Sequence, residues 1–295
     1  MKKHLLAFTI AAVAAGGAWA QANDTLAKIK ASGKVVMGVR ESSAPLSYTL
    51  GGGKFTGYHV ELCQRILKSV LPGVPVEYVA VTSANRIPLV QNGTVDIECG
   101  STTNNAARQK DVSFALTTYV TEVRTAVKAT SKIKSVADLD GKTVATTTGT
   151  TSVALLRKNK RGQNIQFKEV YGKDHADSFL LLESGRADAF VMDGQILAGN
   201  IATSKSPSDF KIVGEVLSVE PIAIMIRKDD AGIKKLADDT VDAMMKSGEM
   251  QKVYDKWFMQ PIAPKNVSLN LPASAATKAA WANPNDKPVE EYLKK

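Results

Sequence analysis

A chain of 295 residues, 44% hydrophobic and 23% charged, holds enough apolar material for two compact lobes with separate cores. Its formal net charge of +9 raises the local concentration of anions by long-range attraction. The lysines and arginines are dispersed, and no run interleaves them with aromatic residues, so nothing in the pattern points to a nucleic-acid surface.

The chain opens with Lys2 and Lys3, an apolar run from Leu5 to Val13 and the small-residue ending Ala18-Trp19-Ala20. That order predicts a cleaved secretory signal over residues 1–20, with the mature chain starting near Gln21. The apolar run is shorter than the roughly 20 residues a bilayer requires, and no later segment is apolar enough to span. No cysteine lies near the cut, which argues against a lipid anchor. Loss of Lys2 and Lys3 lowers the charge from +9 to +7. An exported chain permits a disulfide between Cys63 and Cys99, which is the expectation, although Cys63 also sits on the apolar stripe Cys63, Ile66, Leu67, Val70 and can be read as a small buried hydrophobe. Neither cysteine has metal-ligand spacing to His59 or to the other.

Beyond the leader, short β-branched runs alternate with amphipathic stretches, the grammar of α/β layers with mostly parallel strands. Lys34 to Arg40 is expected as a strand, Tyr58 to Val70 as a helix and Val76 to Val81 as a second strand. Ser83 is the expected N-cap of a helix running through Val90, stopped by Asn92-Gly93 ahead of a strand at Val95 to Cys99. About ninety residues later the grammar returns. A helix over 174–184 ends at Ser184-Gly185, and Asp188 to Met192 is strand-like. Ser101 lies eight residues after Gly93, and Asp193 eight after Gly185. Each lobe is thus expected to present a polar group just past the C-terminal end of a strand, where open α/β sheets bind ligands.

Thr121 to Lys128 and Val219 to Lys228 are extended and β-rich, and are expected as two crossings between the lobes. The first lobe would then comprise 21–124 and 225–295, and the second 125–224. Helices over 230–247 and 249–258 return to the first lobe, with Ile233, Leu236, Val241, Met244 and Met245 as core positions. The proline-bearing tail after Pro261 is expected to wrap that lobe or fray.

Gly149-Thr150-Thr151-Ser152 joins a strand at Thr143–Thr147 to a helix starting near Ser152, and the free N–H groups of such a start favour a carboxylate or phosphate. The segment lacks the lysine and spacing of a nucleotide-binding P-loop. Arg40, Arg86 and Arg108 lie at strand ends and helix starts, where a guanidinium can fork onto a carboxylate. His175 is one of two histidines beyond the leader, with His59.

Taken in order, Arg40-Glu41-Ser42-Ser43, the stretches Thr82 to Pro88 and Asn92 to Asn105, Arg108-Gln109-Lys110, Gly149 to Ser152, Lys173 to Phe179 and Leu182 to Ala187 resemble the glutamate/aspartate-binding members of the type II solute-binding proteins for ABC transporters. The resemblance covers almost the whole chain beyond the leader. It implies two Rossmann-like lobes joined by two hinge crossings and closing over a ligand in the cleft, in a periplasmic monomer that passes L-glutamate or L-aspartate to an inner-membrane permease without any cofactor. Arg108 would hold the α-carboxylate with Ser101, Thr103 and the helix start at Thr151, while Asp193 would take the α-ammonium. Arg40, Ser83, Arg86 and His175 would surround the side-chain carboxylate. Three arginines against one aspartate give a charge of +2, suited to a second carboxylate. An enzyme on the same fold would need a general acid or base, for which Asp193 and His175 are the available groups, yet no nucleophile–base pair is evident.

Overall fold

The computed structural model describes residues 24–292, so the expected signal over 1–20 lies outside the described residues. Two five-stranded sheets organise the chain. The first runs in the order Val76–Ala80, Val35–Val39, Ile97–Glu98, Met225–Arg227, Val112–Phe114. The second runs Lys168–Gly172, Thr143–Thr147, Ala189–Asp193, Tyr119–Lys128, Phe210–Ile222. In the first, Val35–Val39 is flanked in parallel by Val76–Ala80 and Ile97–Glu98; in the second, Thr143–Thr147 is flanked in parallel by Lys168–Gly172 and Ala189–Asp193; antiparallel strands complete each sheet. The Gly93 and Gly185 units fall at the same place in the two sheets, so the short-range likeness read in the sequence is part of a repeated topology.

Side chains that alternate along the strands cover both faces of each sheet. Ile222, Ile224 and Ile226 face the larger core, and Ala223 and Met225 the opposite side. In the second sheet Ala189 and Val191 face one core, Phe190 and Met192 the other. The helix Tyr58–Val70 lays Leu62, Cys63, Ile66 and Leu67 on the larger core and turns Gln64 and Lys68 outward. The helices Ala231–Lys246 and Glu249–Phe258 pack onto the same core, burying Ile233, Val241 and Met244, with Leu236 and Met245 half-buried against it. Among the described residues no helix is long and apolar enough to cross a membrane.

Local outcomes follow from local chemistry. The helix expected from Ser83 begins instead at Arg86. A proline inside a helix lacks an N–H and collides with the carbonyl four residues earlier, so Pro88 is tolerated only in the first turn. Thr82 and Asn85 close a turn ahead of it, with Asn85 Oδ1 accepting from Thr82 N–H at 2.7 Å, and Ser83 is left outside the helix. The expected crossings resolve into a two-stranded ribbon in which residues 119–122 pair with 219–222, while 123–127 pair also with the strand Ala189–Asp193. The tail wraps. Thr277, on the helix Ala275–Ala282, accepts from the Val120 N–H at 3.1 Å, and Trp281 donates to the Thr118 carbonyl at 2.8 Å.

Cys63 and Cys99 are joined by a disulfide across a separation of 36 residues. Closing a loop of that length in the unfolded chain is worth about 4 kcal/mol on the chain-entropy model. Replacing both cysteines with alanine should lower the unfolding free energy by roughly 2–4 kcal/mol, read as a lower urea midpoint. A midpoint unchanged from the oxidised wild type would refute the assignment of that stability to the crosslink.

Candidate functional site

The strands of both sheets end toward one another, and a small cavity of about 10 Å3, room for roughly one water-sized molecule, lies between them. Ser83, Arg86, Ser101, Thr103 and Arg108 line it from loops beyond the first sheet. Thr150, Thr151, His175, Met192 and Asp193 line it from the second. Eight of the nine residues expected to bind ligand therefore meet at one cavity. Thr150, within the Gly149–Ser152 segment already noted, and Met192, which no sequence signal singled out, are additions to that set.

The ninth, Arg40, stands one layer back. It is fully buried, and its Nη2 pairs with Asp174 and lies 3.2 Å from His175 Nε2, while Nη1 is 3.4 Å from Ser101 Oγ. Asp174 also accepts from Ser42 Oγ at 2.8 Å, so Arg40 and Ser42 of the first lobe grip one carboxylate of the second. This corrects the charge count made from the sequence. Asp174 pairs directly with Arg40, and two more buried carboxylates, Glu98 and Glu220, act on the arginines by Coulomb attraction. Asp174 is adjacent to His175 in the motif already noted. Glu220 was signalled only as a carboxylate within the otherwise apolar Val219–Ile226 run.

Arg86 and Arg108 differ from Arg40 because neither has an ion-pair partner among the described residues. Arg108 donates to two carbonyls, Thr103 O at 2.8 Å and Gly149 O at 3.3 Å. Arg86 is buried, and neither its Nε nor Ser83 Oγ has a hydrogen-bond partner in the protein. Burial drives the guanidinium of Arg86 well below its ordinary value, and Arg108 and Arg40 add repulsion. Arg108 is lowered by burial too, against the pull of Glu220 and Asp193. Asp193 is pushed up to about 7, first by burial and then by the nearby Glu220 carboxylate. A cation arriving beside Asp193 would relieve that repulsion.

His175 begins the helix His175–Glu183 with its ring buried. A guanidinium can only donate, so Nε2 must accept from Arg40, and the proton sits on Nδ1, which donates to Thr147 Oγ1 at 3.0 Å. His59 bridges the Gly100 carbonyl and Thr118 Oγ1, both at 2.6 Å. Burial lowers His59 to about 4, against its bond to Gly100, and lowers His175 to about 3, with Arg40 reinforcing the shift.

Both rings are therefore neutral in the folded state at pH values where an unfolded histidine, with a value near 6.5, takes up a proton. Their contribution to stability is full above that value and is lost as pH falls through the folded values. Asp193 acts in the opposite sense, keeping its proton up to about 7 and lowering stability as pH rises through the window above 3.8. Proton NMR of the two imidazole rings from pH 5 to 8 should give flat C2–H shifts. A midpoint near 6.5 for either ring would contradict its burial as a neutral group.

Residues 35–260 match the model of the bacterial extracellular solute-binding proteins, family 3. The glutamate/aspartate import solute-binding protein of Escherichia coli (strain K12) is 45% identical over 293 residues, covering 95% of this chain and 97% of the relative. The L-glutamate/L-aspartate-binding protein of Pseudomonas aeruginosa is 46% identical over 274 residues, covering 90% of each. Among solved structures, a mutant of ArgBP from T. maritima superposes with a TM-score of 0.72 at 28% identity, covering 80% of this chain and all of its own. An ancestral arginine-binding protein bound to glutamine gives 0.69 at 30% identity, covering 77% and 98%. The chain belongs to the bacterial extracellular solute-binding proteins of family 3.

Proposed function

We propose that this protein captures L-glutamate or L-aspartate between its lobes and delivers it to an ABC importer. The observation that carries this reading is a small cavity walled by two guanidinium groups that have no ion-pair partner among the described residues, Arg86 and Arg108, together with one carboxylate, Asp193. An acidic amino acid has the complementary set, two carboxylates and one ammonium. Relatives at 45% and 46% identity carry glutamate and aspartate in their names. A solute-binding protein performs no chemistry on its ligand, so the hydrogen-bonded His175 needs no role as a general base.

In this assignment Arg108 and the N–H groups starting the helix Thr151–Gly162 meet the α-carboxylate, and Asp193 meets the α-ammonium, with Ser101 and Thr103 between them. Arg86 and Ser83 meet the distal carboxylate, with His175, both of whose ring nitrogens are engaged by Arg40 and Thr147, forming the wall beside it and Arg40 behind. The first lobe spans 21–124 and 225–295 and the second 125–224, with the ribbon of 119–122 and 219–222 as the hinge. Residues 1–20 direct export to the periplasm and are removed there, in keeping with a family of extracellular proteins.

Titration calorimetry of the ligand-stripped protein with glutamate, aspartate, glutamine and asparagine tests the reading, and both acids should bind more tightly than their amides. Arg108→Ala and Asp193→Ala should abolish binding of all four. Arg86→Ala should weaken the acids by about 3 kcal/mol, roughly 100-fold, while affecting the amides less. Amides binding as tightly as acids to the wild type would remove the distal-carboxylate assignment.

Capture by closure makes a further demand on two glycines. A Cβ on Gly149, whose φ is +81°, would lie 2.7 Å from the Ala84 backbone, and one on Gly199 would lie 2.6 Å from the Ala44 carbonyl oxygen. Both contacts join the two lobes. Gly199 lies within the helix Gly194–Thr203, where alanine is the better helix former by about 1 kcal/mol. Gly199→Ala should therefore keep or raise the thermal stability of the ligand-free protein while lowering glutamate affinity about tenfold or more. Unchanged affinity would mean that closure does not bring these backbones together.

A further inference from the structure

The hinge ribbon carries a carboxylate that the functional reading leaves without a role. Glu220 is only 3% exposed and pairs across the ribbon with Thr121. Its Oε2 accepts two hydrogen bonds of 2.8 Å each, from Thr103 Oγ1 and from Thr151 Oγ1. Thr103 lies in the loop beyond the strand Ile97–Glu98, and Thr151 opens the helix beyond the strand Thr143–Thr147. One oxygen thus ties the two walls of the cavity together, and both threonines line that cavity.

A threonine hydroxyl has one proton to donate. Once it is given to Glu220, neither Oγ1 can donate to a bound molecule, and each can only accept. Oxygens restricted to accepting suit an ammonium group and repel a carboxylate. Asp193 faces the same cavity and lies within the field of Glu220. The sequence suggested Thr103 as a helper of the α-carboxylate; with its proton committed, its hydroxyl is fitted to the other end of the zwitterion.

We propose that Glu220 is a specificity-determining residue: it locks the Thr103 and Thr151 hydroxyls as acceptors, so that with Asp193 they form a subsite that admits an ammonium and rejects dicarboxylates lacking one. The inference rests on reading the cavity as an acidic amino-acid site and adds what distinguishes an amino acid from a plain diacid. A purely structural tie between the walls would behave differently, since its loss would weaken every ligand alike.

Glu220→Gln separates the two cases. The amide oxygen accepts from one threonine while the NH2 group must donate to the other, which frees that hydroxyl's proton for the cavity and removes a negative charge. The mature protein and this variant are titrated with L-glutamate and with glutarate, which is glutamate without its amine, glutarate being followed by competition at high concentration. L-Glutamate should lose about tenfold in affinity, glutarate should gain, and the ratio between them should narrow by at least about tenfold. Glu220→Asp, which keeps the carboxylate, should recover part of the ratio. Glutarate binding no stronger in Glu220→Gln than in the wild type, or equal losses for both ligands, overturns the proposal and leaves the functional reading standing. A wild type that fails to bind L-glutamate overturns that reading and this inference with it.

Discussion

Two guanidinium groups, those of Arg86 and Arg108, are held almost out of water with no carboxylate in ion-pair contact among the described residues, and much of the molecule is arranged around that fact. Removing a charge of this kind from water costs several kcal/mol even after the surroundings relax. Two carbonyls satisfy part of Arg108, while among the described residues neither Arg86 Nε nor Ser83 Oγ has a hydrogen-bond partner. Asp193, Glu98 and Glu220 lower the cost by attraction at longer range. What remains is a closed state whose electrostatics are incomplete by itself. A ligand with two carboxylates and an ammonium completes it, so ligand and closure favour each other.

The contacts between the lobes are fitted to that balance. Arg40 and Ser42 reach Asp174 across the cleft, and Gly149 and Gly199 let backbones approach where any Cβ would intrude. Small residues give steric fit without much apolar burial, so the interface discriminates sharply between closed and nearly closed arrangements while adding little attraction of its own. The Arg40–Asp174 pair adds direction. Because it also supplies the donor that His175 Nε2 accepts, the same closure fixes the tautomer of a ring in the cavity wall.

Periodic features of this fold could be read from sequence, and pairwise ones could not. The helix Tyr58–Val70 and the strands around it follow from apolar spacing, and the Gly93 and Gly185 units pointed to a repeat that the sheet order bears out. Ser83 was misplaced because cap preference was weighed without the Pro88 constraint five residues later. Family resemblance gathered eight residues of the cavity. Asp174 and Glu220 escaped because their significance lies in partners 134 and 117 residues away. A carboxylate in a strand or at a helix start looks ordinary until the chain is folded, and a charge count that omits such groups overstates the positive field.

The two halves of the site also differ in how firmly they are held. The loop that carries Ser101 and Thr103 and leads to Arg108 is anchored to the helix Tyr58–Val70 at two neighbouring points: Cys99 by the disulfide to Cys63, and Gly100 by its carbonyl to His59. Thr102 adds a 2.7 Å bond to the buried Glu98. That helix is packed in turn on the largest core of the molecule, against Tyr254 and Phe258 through Tyr58. The first-lobe half is therefore ordered by groups that do not touch the cavity, and its ordering cost is met during folding rather than on binding. The second-lobe half, from Thr151, His175 and Asp193, is brought to it across the ribbon that carries Glu220. With the disulfide-anchored loop on one side and Thr151, His175 and Asp193 on the other, closure of the kind proposed assembles the site without disturbing Arg108, the proposed receiver of the α-carboxylate.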